Sequence, residues 1–359
     1  MATTLPRVLA FAALLGLLLS AGTITAGATT RAGLLARTAS SSGENDAAPV
    51  WSPDGTRIAF SDQTAGGNFQ VYVIDENGSG RRQISHGNLN YGFVAWSPSG
   101  KQVGFSGLTN SQLVTAGHVY VASAAGAGQN ALTTGSGWYD ELFGWSPDGT
   151  TLYFDRITNG LGAIYTMDGD GTDLHELTPN PADDDYWAVW SPDGTRIAFD
   201  RTGTGASAGG DIWVMNADGS DQRQLTVDPD DNFGSAWSPN SKQIAFMSNR
   251  TGRYEIYLMS AGGGAQKRLT IISGGAGEPR WSPSGEEIVY EAEVGGNEQV
   301  FEMTAEGGDQ RELTPASDGQ NSDPAWSPDG KQIAFLSTRD GGTDIYVMNA
   351  DGSDQRRLT

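Results

Sequence analysis

The sequence predicts an all-β fold made of seven similar units, and three observations lead to this prediction. The tripeptide Trp-Ser-Pro occurs seven times, at intervals of 45, 49, 45, 47, 44 and 45 residues. The 359 residues include 50 glycines and 15 prolines, which favour many tight turns over long helices. An alternating segment such as Arg196-Ile197-Ala198-Phe199 follows each motif, and such alternation is typical of a strand. The motifs begin at Trp51, Trp96, Trp145, Trp190, Trp237, Trp281 and Trp326.

Each unit contains the signals for four strands joined by tight turns. The segment Ser-Pro-Asp-Gly fits a type I turn, because proline fixes φ at the second corner and glycine suits the fourth. A third apolar segment then runs into an Asp-Gly turn, which is a strong hairpin signal, and the unit closes on a segment such as Leu358-Thr359. We therefore predict an antiparallel meander of strands of about four to seven residues each.

One such sheet alone would leave both of its faces wet, whereas units stacked around an axis bury their apolar positions between neighbours. The sequence therefore predicts a seven-bladed β-propeller of four-stranded antiparallel blades, with the strand before each Trp-Ser-Pro innermost. We expect the repeated Trp, Tyr and Met positions to pack in the core.

These units resemble the TolB-like propeller repeat, a relative of the WD repeats that is built around Trp-Ser-Pro-Asp-Gly. The resemblance covers residues 44–359 and implies a propeller fold. WD-type dipeptides do not close the units, and only Gly117-His118 is similar to the Gly-His element of WD repeats. TolB itself carries an α/β domain before a six-bladed propeller. Here a short linker or latch strand, residues 29–43, precedes seven units, so the resemblance is to the repeat and not to TolB itself.

The N-terminus has the features of a secretory signal peptide over residues 1–28. Arg7 supplies the positive charge, Val8 to Leu19 form an apolar stretch too short for an ordinary spanning helix, and Ala26-Gly27-Ala28 offers a cleavage site. An uncleaved membrane anchor is the alternative. We expect a periplasmic or secreted protein that does not insert into the membrane after cleavage. The chain has no cysteine, which excludes disulfides, thiolate metal sites and cysteine nucleophiles.

The charge of the chain limits its partners. With 22 Lys plus Arg against 43 Asp plus Glu, the formal charge is −21. Such a surface repels phosphate backbones, which argues against nucleic acid and anionic membranes. Basic proteins or peptides, cations and neutral ligands are compatible with it, and we expect a monomer.

The loops that leave the second and fourth strands vary between units, and variable loops on a rigid scaffold often bind ligands. Five residues before the tryptophan, five of the seven units carry Asp or Asn, and Tyr91 and Ala276 occupy the other two. These five are Asp46, Asp140, Asp185, Asn232 and Asn321. The predicted partner-binding residues at this channel mouth are Asp140, Glu141, Asp183, Asp184, Asp185, Tyr186, Trp187, Asp230, Asp231, Phe233, Glu278 and Asp323.

Two interpretations of this mouth remain open. In one, each Asp or Asn accepts hydrogen bonds from its own loop, and the other acids are solvated. In the other, a negative, aromatic-lined mouth attracts a cationic peptide segment or a metal ion.

No catalytic set is evident in the sequence. The segment Gly205 to Gly209 matches a nucleophile-elbow pattern, but no helix follows it. The histidines His86, His118 and His175 fall in different units. Asp168 to Asp173 resembles a calcium loop without its twelve-residue spacing. We therefore predict a non-catalytic extracytoplasmic scaffold that binds a protein or peptide, with no cofactor and no metal site. The alternative is a polysaccharide-acting hydrolase or lyase with carboxylates at the channel mouth.

Overall fold

The computed structural model describes residues 46–109, 116–180, 182–203 and 209–359. These residues form 28 strands and one short 3₁₀ turn, Ala316–Asp318. The strands are β1 Asp46–Trp51, β2 Arg57–Gln63, β3 Phe69–Asp75, β4 Arg82–Gln83, β5 Asn90–Trp96, β6 Gln102–Leu108, β7 Gly117–Ser123, β8 Asn130–Ala131, β9 Trp138–Trp145, β10 Thr151–Thr158, β11 Leu161–Asp168, β12 His175–Glu176, β13 Asp183–Trp190, β14 Arg196–Gly203, β15 Gly210–Asn216, β16 Arg223–Gln224, β17 Asn232–Trp237, β18 Gln243–Ser248, β19 Glu255–Ser260, β20 Lys267–Arg268, β21 Ala276–Trp281, β22 Glu287–Val294, β23 Asn297–Thr304, β24 Arg311–Glu312, β25 Asn321–Trp326, β26 Gln332–Ser337, β27 Asp344–Asn349 and β28 Arg356–Arg357.

Four consecutive strands accompany each Trp-Ser-Pro motif, and they pair in chain order as an antiparallel meander. We number these groups units one to seven, from β1–β4 to β25–β28. Five units are separate four-stranded sheets, whereas units two and three share an eight-stranded sheet. A single parallel pair, Gly117 with Tyr139, joins those two units.

The Trp-Ser-Pro-Asp-Gly turns adopt the predicted geometry. In unit one, the Gly55 amide donates to the Ser52 carbonyl at 2.8 Å, which closes the turn. The Asp54 carboxylate accepts the Ser52 hydroxyl at 2.6 Å and the Thr56 amide at 3.1 Å. The backbone at Gly55 has φ of 70°, which glycine adopts without strain.

The fourth strand of each unit is two residues long in this structure, shorter than the sequence predicts. The Leu-Thr segment that follows explains the difference. In unit three, Leu177 is buried, and the Ile164 amide on β11 donates to the Thr178 hydroxyl at 2.9 Å instead of to a strand carbonyl. A Ser or Thr hydroxyl accepts the equivalent amide in every unit, at 2.8–3.0 Å. The side chain thus replaces a longer strand pairing.

The core lies between neighbouring units, as the repeat pattern predicts. Val103 and Phe105 of unit two, for example, pack in one cluster with Val71 of unit one. Unit seven packs on unit one in the same way, since Ile58 and Ile345 belong to one cluster. The units therefore close into a ring.

A repeated tryptophan hydrogen bond marks the same closure. The Trp96 indole donates to the Val50 carbonyl of the preceding unit at 3.0 Å. The Trp51 indole donates in the equivalent way to the Ala325 carbonyl of unit seven at 3.1 Å. All four strands of the first sheet come from residues 46–83, and the predicted latch segment lies outside the described residues.

Within the described ranges, no helix is long and apolar enough to cross a bilayer. The apolar stretch Val8 to Leu19 and the predicted cleavage site lie outside those ranges.

Candidate functional site

A β-bulge in the first strand of every unit positions the residues around the ring axis. The residue three before the tryptophan has a positive φ in five units. A bulge bends its strand and redirects a side chain. The five residues are Phe93, Trp187, Gly234, Glu278 and Asp323, with φ between 50° and 70°.

In units three, five, six and seven, a bulge amide contacts a side chain of the preceding unit. The contacting side chain belongs to the residue that comes directly after the buried aromatic residue in the sequence of the preceding unit's second strand. The Gly234 amide donates to Asp200 Oδ2 at 2.9 Å, and the Asp323 amide donates to Glu291 Oε1 at 2.5 Å. The Glu278 amide contacts the Met247 sulfur at 3.1 Å in the same position. Asp200 and Glu291 therefore have a structural role, since they satisfy backbone donors of β17 and β25 that the interrupted pairing with β18 and β26 leaves free.

The bulges border a cavity of about 1170 Å³ inside the ring. Its lining extends from Phe143 on β9 to Trp326 on β25. The turn proline Pro239 lies at one end, and Tyr254 and Glu298, from the opposite loops and strand ends, also line it. The cavity therefore connects the repeated Trp-Ser-Pro turns with the loops that differ between units.

One wall of the cavity is acidic. Among the described residues, its charged lining comprises five acids and two arginines, namely Glu278, Glu291, Glu293, Glu298, Asp323, Arg253 and Arg280. Glu278 pairs with Arg280 at 2.9 Å. Burial raises the pKa of Glu291 well above its usual value, and the Asp323 and Glu278 carboxylates raise it further. Burial and then the charge of Glu278 raise the pKa of Asp323 to about 6.

Aromatic rings form another part of the lining. The Phe233 ring lies 4.8 Å from the Tyr254 ring in an edge-to-face contact and 5.6 Å from the Trp187 ring. All three residues line the cavity. An aromatic row beside carboxylates is suited to hold a cation or an amphipathic segment.

The Asp and Asn side chains five before the tryptophan, where described, bind an arginine of their own unit, and loop hydrogen bonds are only part of their contacts, since Asp185 also binds the Thr178 side chain. These arginines lie on the second strand of the unit or just after it. Asp140 is fully buried and forms a bidentate pair with Arg156, at 2.7 and 3.0 Å. Asp185 pairs in the same way with Arg201, at 2.6 and 2.8 Å.

Units five and seven use asparagine for the same purpose. Arg250 donates to Asn232 at 2.6 Å, and Arg339 donates to Asn321 at 3.0 Å. Each of these arginines also stacks on an aromatic ring of its own unit, as Arg250 does on Tyr257 at 4.5 Å. The position is therefore a structural pairing site. Asp46 is described for its backbone only.

Other predicted acids are also enclosed. Glu141 and Asp184 are buried, and Asp184 accepts the Gly162 amide at 2.7 Å. Asp183 accepts the Asn180 side chain at 2.6 Å. The expectation that Glu141 and Asp184 are solvated is thus wrong, because both are buried, as are Asp140 and Asp185; that these four residues bind a partner stays a prediction.

The remaining predicted residues lie nearer the loops and the cavity. Asp231 accepts the Tyr254 hydroxyl at 3.1 Å, and the Asp230 carbonyl accepts the Asn232 side chain at 2.9 Å. Tyr186 is buried, with its hydroxyl 3.0 Å from that of Thr202. Four predicted residues line the cavity itself, namely Trp187, Phe233, Glu278 and Asp323. That they bind a partner stays a prediction.

Sequence reasoning missed Glu291, Ser235 and Tyr254, which also line the cavity. A usable signal existed for Glu291. Asp155, Asp200 and Glu291 are the acids that directly follow the aromatic residue of a second strand, a position otherwise filled by Ser, Met or Leu.

The described residues contain no group of three or more His, Asp or Glu side chains placed to hold a metal ion. The calcium-like segment is a hairpin turn, in which Asp170 accepts the Thr172 amide at 3.0 Å. Residues 205–208 of the nucleophile-elbow pattern lie outside the described ranges.

A family model described as the TolB beta propeller domain matches residues 29–180, 228–318 and 272–359. The chain belongs to this TolB β-propeller family. The match agrees with the resemblance of the repeats and with the ring of antiparallel sheets.

Relatives of this TolB-family chain have different descriptions. An uncharacterised protein of Agrobacterium fabrum is 32% identical over 123 residues, which are 34% of this chain and 40% of that protein. The chain thus spans about two fifths of the length of that curated relative. An oligogalacturonate lyase in complex with manganese gives a TM-score of 0.66 at 16% identity, over 83% of this chain and 86% of that one. TolB from Acinetobacter baumannii gives a TM-score of 0.54 at 19% identity, over 82% of this chain and 77% of that one. At these identities the solved structures show the fold alone.

Proposed function

We propose that this chain is a non-catalytic extracytoplasmic scaffold, a seven-bladed propeller that takes a segment of a protein or peptide into its cavity. The observation that carries the proposal is the cavity of about 1170 Å³, with an aromatic row and an acidic wall. The apolar stretch and small residues near the N-terminus support export across a membrane.

The strand pairing supports a blade number of seven. Units two and three have the same internal meander as the other units, and one parallel residue pair joins them. Counting the eight-stranded sheet as two blades gives one blade for each Trp-Ser-Pro motif.

A peptide segment suits the cavity better than a small molecule or nucleic acid. Pockets for small ligands usually measure about 300–1,000 Å³, and this cavity is larger and reaches from the turns to the opposite loops. A formal charge of −21 disfavours nucleic acid. Five acids against two arginines in the lining favour a segment that carries positive charge.

A second candidate function is carboxyl-based cleavage of a polysaccharide. The raised pKa of Asp323 and Glu291 in one cavity favours it, because a general acid must hold its proton near neutral pH. The acids also gather on one wall instead of spreading around the ring, as a pair of catalytic carboxyls requires. Against it, Glu291 Oε1 already accepts the Asp323 amide. Release of reducing or unsaturated ends from polygalacturonate, abolished in Asp323→Asn, would support this second candidate over binding.

The test of binding is selection from a displayed library of random peptides with the full-length chain. We expect enrichment of peptides that lose about tenfold or more in affinity for Trp187→Gly, since buried aromatic anchors dominate interfaces. This variant should fold, because the backbone at residue 187 has φ of 50°, which suits glycine.

The matched control is Val227→Ala, which alters an exposed apolar side chain that does not line the cavity. It should bind the selected peptides like the native chain. Selection of no peptide, or of peptides that Trp187→Gly binds equally well, would contradict the proposal.

A further inference from the structure

The hydroxyl of Ser235 is a polar group for which the fold has no use. Ser235 lies on β17, lines the cavity and is 4% exposed. Its Oγ has no hydrogen-bond partner among the described residues. A buried polar atom without a partner destabilises a fold by roughly 1–3 kcal/mol, and native structures contain few of them.

The repeat shows that the hydroxyl is not needed for folding. Ser235 stands two residues before the tryptophan of unit five, and the other six units carry an apolar residue at this position. Those residues are Pro49, Val94, Phe143, Ala188, Pro279 and Pro324. The serine therefore points to a ligand in the cavity.

The acidic wall supplies carboxyl oxygens as further acceptors in the same cavity. Glu291 and Asp323 form no salt bridge with any described residue, whereas Glu278 is paired with Arg280. One oxygen of each carboxyl is engaged, since Glu291 Oε1 accepts the Asp323 amide and Asp323 Oδ2 accepts the Ser322 hydroxyl at 3.4 Å. In each carboxyl, the other oxygen is thus the main acceptor for a ligand in the cavity.

This pattern favours an ammonium group over a guanidinium. A guanidinium is a planar fork that pairs best with two oxygens of one carboxylate, whereas an ammonium has three donors that can reach three separate acceptors. The row of Trp187, Phe233 and Tyr254 adds ring faces that attract a cation.

We propose that the cavity is a receptor for one primary ammonium group of the entering peptide, with Glu291, Asp323 and the Ser235 hydroxyl as its acceptors. The proposal rests on the proposed function and specifies the chemistry of its ligand. A lysine side chain and a free peptide N-terminus carry the same group, so the experiment separates these two sources.

The experiment is calorimetric titration of the full-length chain with pentapeptide amides at pH 7.5, three with an acetylated N-terminus and one with a free one. The probes are acetyl-Gly-Gly-Lys-Gly-Gly-amide and its norleucine and arginine counterparts, together with pentaglycine amide, whose only ammonium is the N-terminus. We expect binding of the lysine peptide or of pentaglycine amide, at least tenfold weaker binding of the arginine peptide, and none of the norleucine peptide. Whichever ammonium peptide binds identifies the source.

The variants test the acceptors. The double variant Glu291→Gln, Asp323→Asn should lower the affinity for the ammonium peptide at least tenfold. Ser235→Ala should lower this affinity about threefold or more. Ser235→Ala should also fold at least as stably as the native chain, because it removes an unpartnered hydroxyl. The control Glu306→Gln neutralises an exposed acid of a turn outside the cavity and should change nothing.

The outcomes are distinct. Equal binding of the norleucine and lysine peptides, or native affinity in Ser235→Ala and the double variant, would overturn the ammonium site. If library peptides lose affinity for Trp187→Gly but need no positive charge to bind, the proposed function stands. If no ammonium peptide binds while library peptides do, the ammonium site is wrong; if neither binds, both proposals fail.

Discussion

Replacement of Arg201 by methionine should be one of the most destabilising single changes in the ring. The Arg201 side chain is 10% exposed, and its guanidinium binds both oxygens of Asp185, whose side chain is 1% exposed. It also stacks on Trp213, with 4.6 Å from the guanidinium carbon to the ring centre. Methionine keeps much of the apolar stem but leaves the Asp185 carboxylate buried without its cation.

The magnitude follows from that buried charge. Removal of one partner of a buried ion pair costs about 3–5 kcal/mol, so we expect a loss of about 4 kcal/mol in the free energy of unfolding at pH 7. Asp185→Asn is the matched control, because Asn232 and Asn321 already bind Arg250 and Arg339 at the equivalent positions. This variant should cost only ~1–2 kcal/mol, since the asparagine oxygen still accepts from the Arg201 guanidinium and the Asp183 carboxylate remains 3.6 Å from it.

Burial already raises the pKa of Asp185 in the native protein, and loss of Arg201 should raise it further. A carboxyl whose pKa is higher in the folded state than in the unfolded state binds more protons when the protein is folded. The free energy of unfolding of the protein therefore falls as pH rises between these two pKa values. The deficit of Arg201→Met should therefore be larger at pH 8 than at pH 5.

Urea denaturation followed by tryptophan fluorescence and circular dichroism at both pH values provides the measurement. Equal losses for Arg201→Met and Asp185→Asn, or a loss below about 1 kcal/mol for Arg201→Met, would refute a structural role of the pair.

Three further predictions concern other parts of the chain. Asp323→Asn should stabilise the protein at pH 8, by up to about 3 kcal/mol, and have little effect near pH 4, because the folded pKa is raised from 3.8 to about 6 and ionisation above that value opposes folding; a lower melting temperature at pH 8 would contradict this. Thr178→Val should cost about 1–3 kcal/mol, since it leaves the Ile164 amide without its acceptor, and Thr178→Ser should recover most of the loss in the same thermal melts. Mass spectrometry of the protein exported by a competent host should show a chain that begins near Thr29, and an intact Met1 would argue for an anchor.

The period of the repeat was sufficient to predict the strands. Trp-Ser-Pro fixes the end of each first strand, and Asp-Gly fixes the hairpin between the third and fourth, because these residues have few alternative backbone conformations. The short fourth strand was not predicted, since a hydroxyl such as that of Thr178 replaces a backbone acceptor only when the strand register is known.

The site was harder to predict, because the acids were interpreted by their charge without the residues that face them on the neighbouring strand. Asp140 and Asp185 look like surface acids in the sequence, yet each lies directly across the strand pair from an arginine, Arg156 or Arg201. The recurrence of arginine sixteen residues after these acids was an available signal. The positive φ at Glu278 and Asp323 could not be predicted from the sequence, because the position of a bulge depends on the strand pairing.

The most direct test of the account is a crystal structure of the full-length chain with a peptide selected from the library. We predict seven four-stranded blades and the peptide in the cavity, between the Trp187–Phe233 rings and the carboxyls of Glu291 and Asp323. A peptide bound only on the outer edge of the ring, with the cavity free of it, would contradict the proposed function.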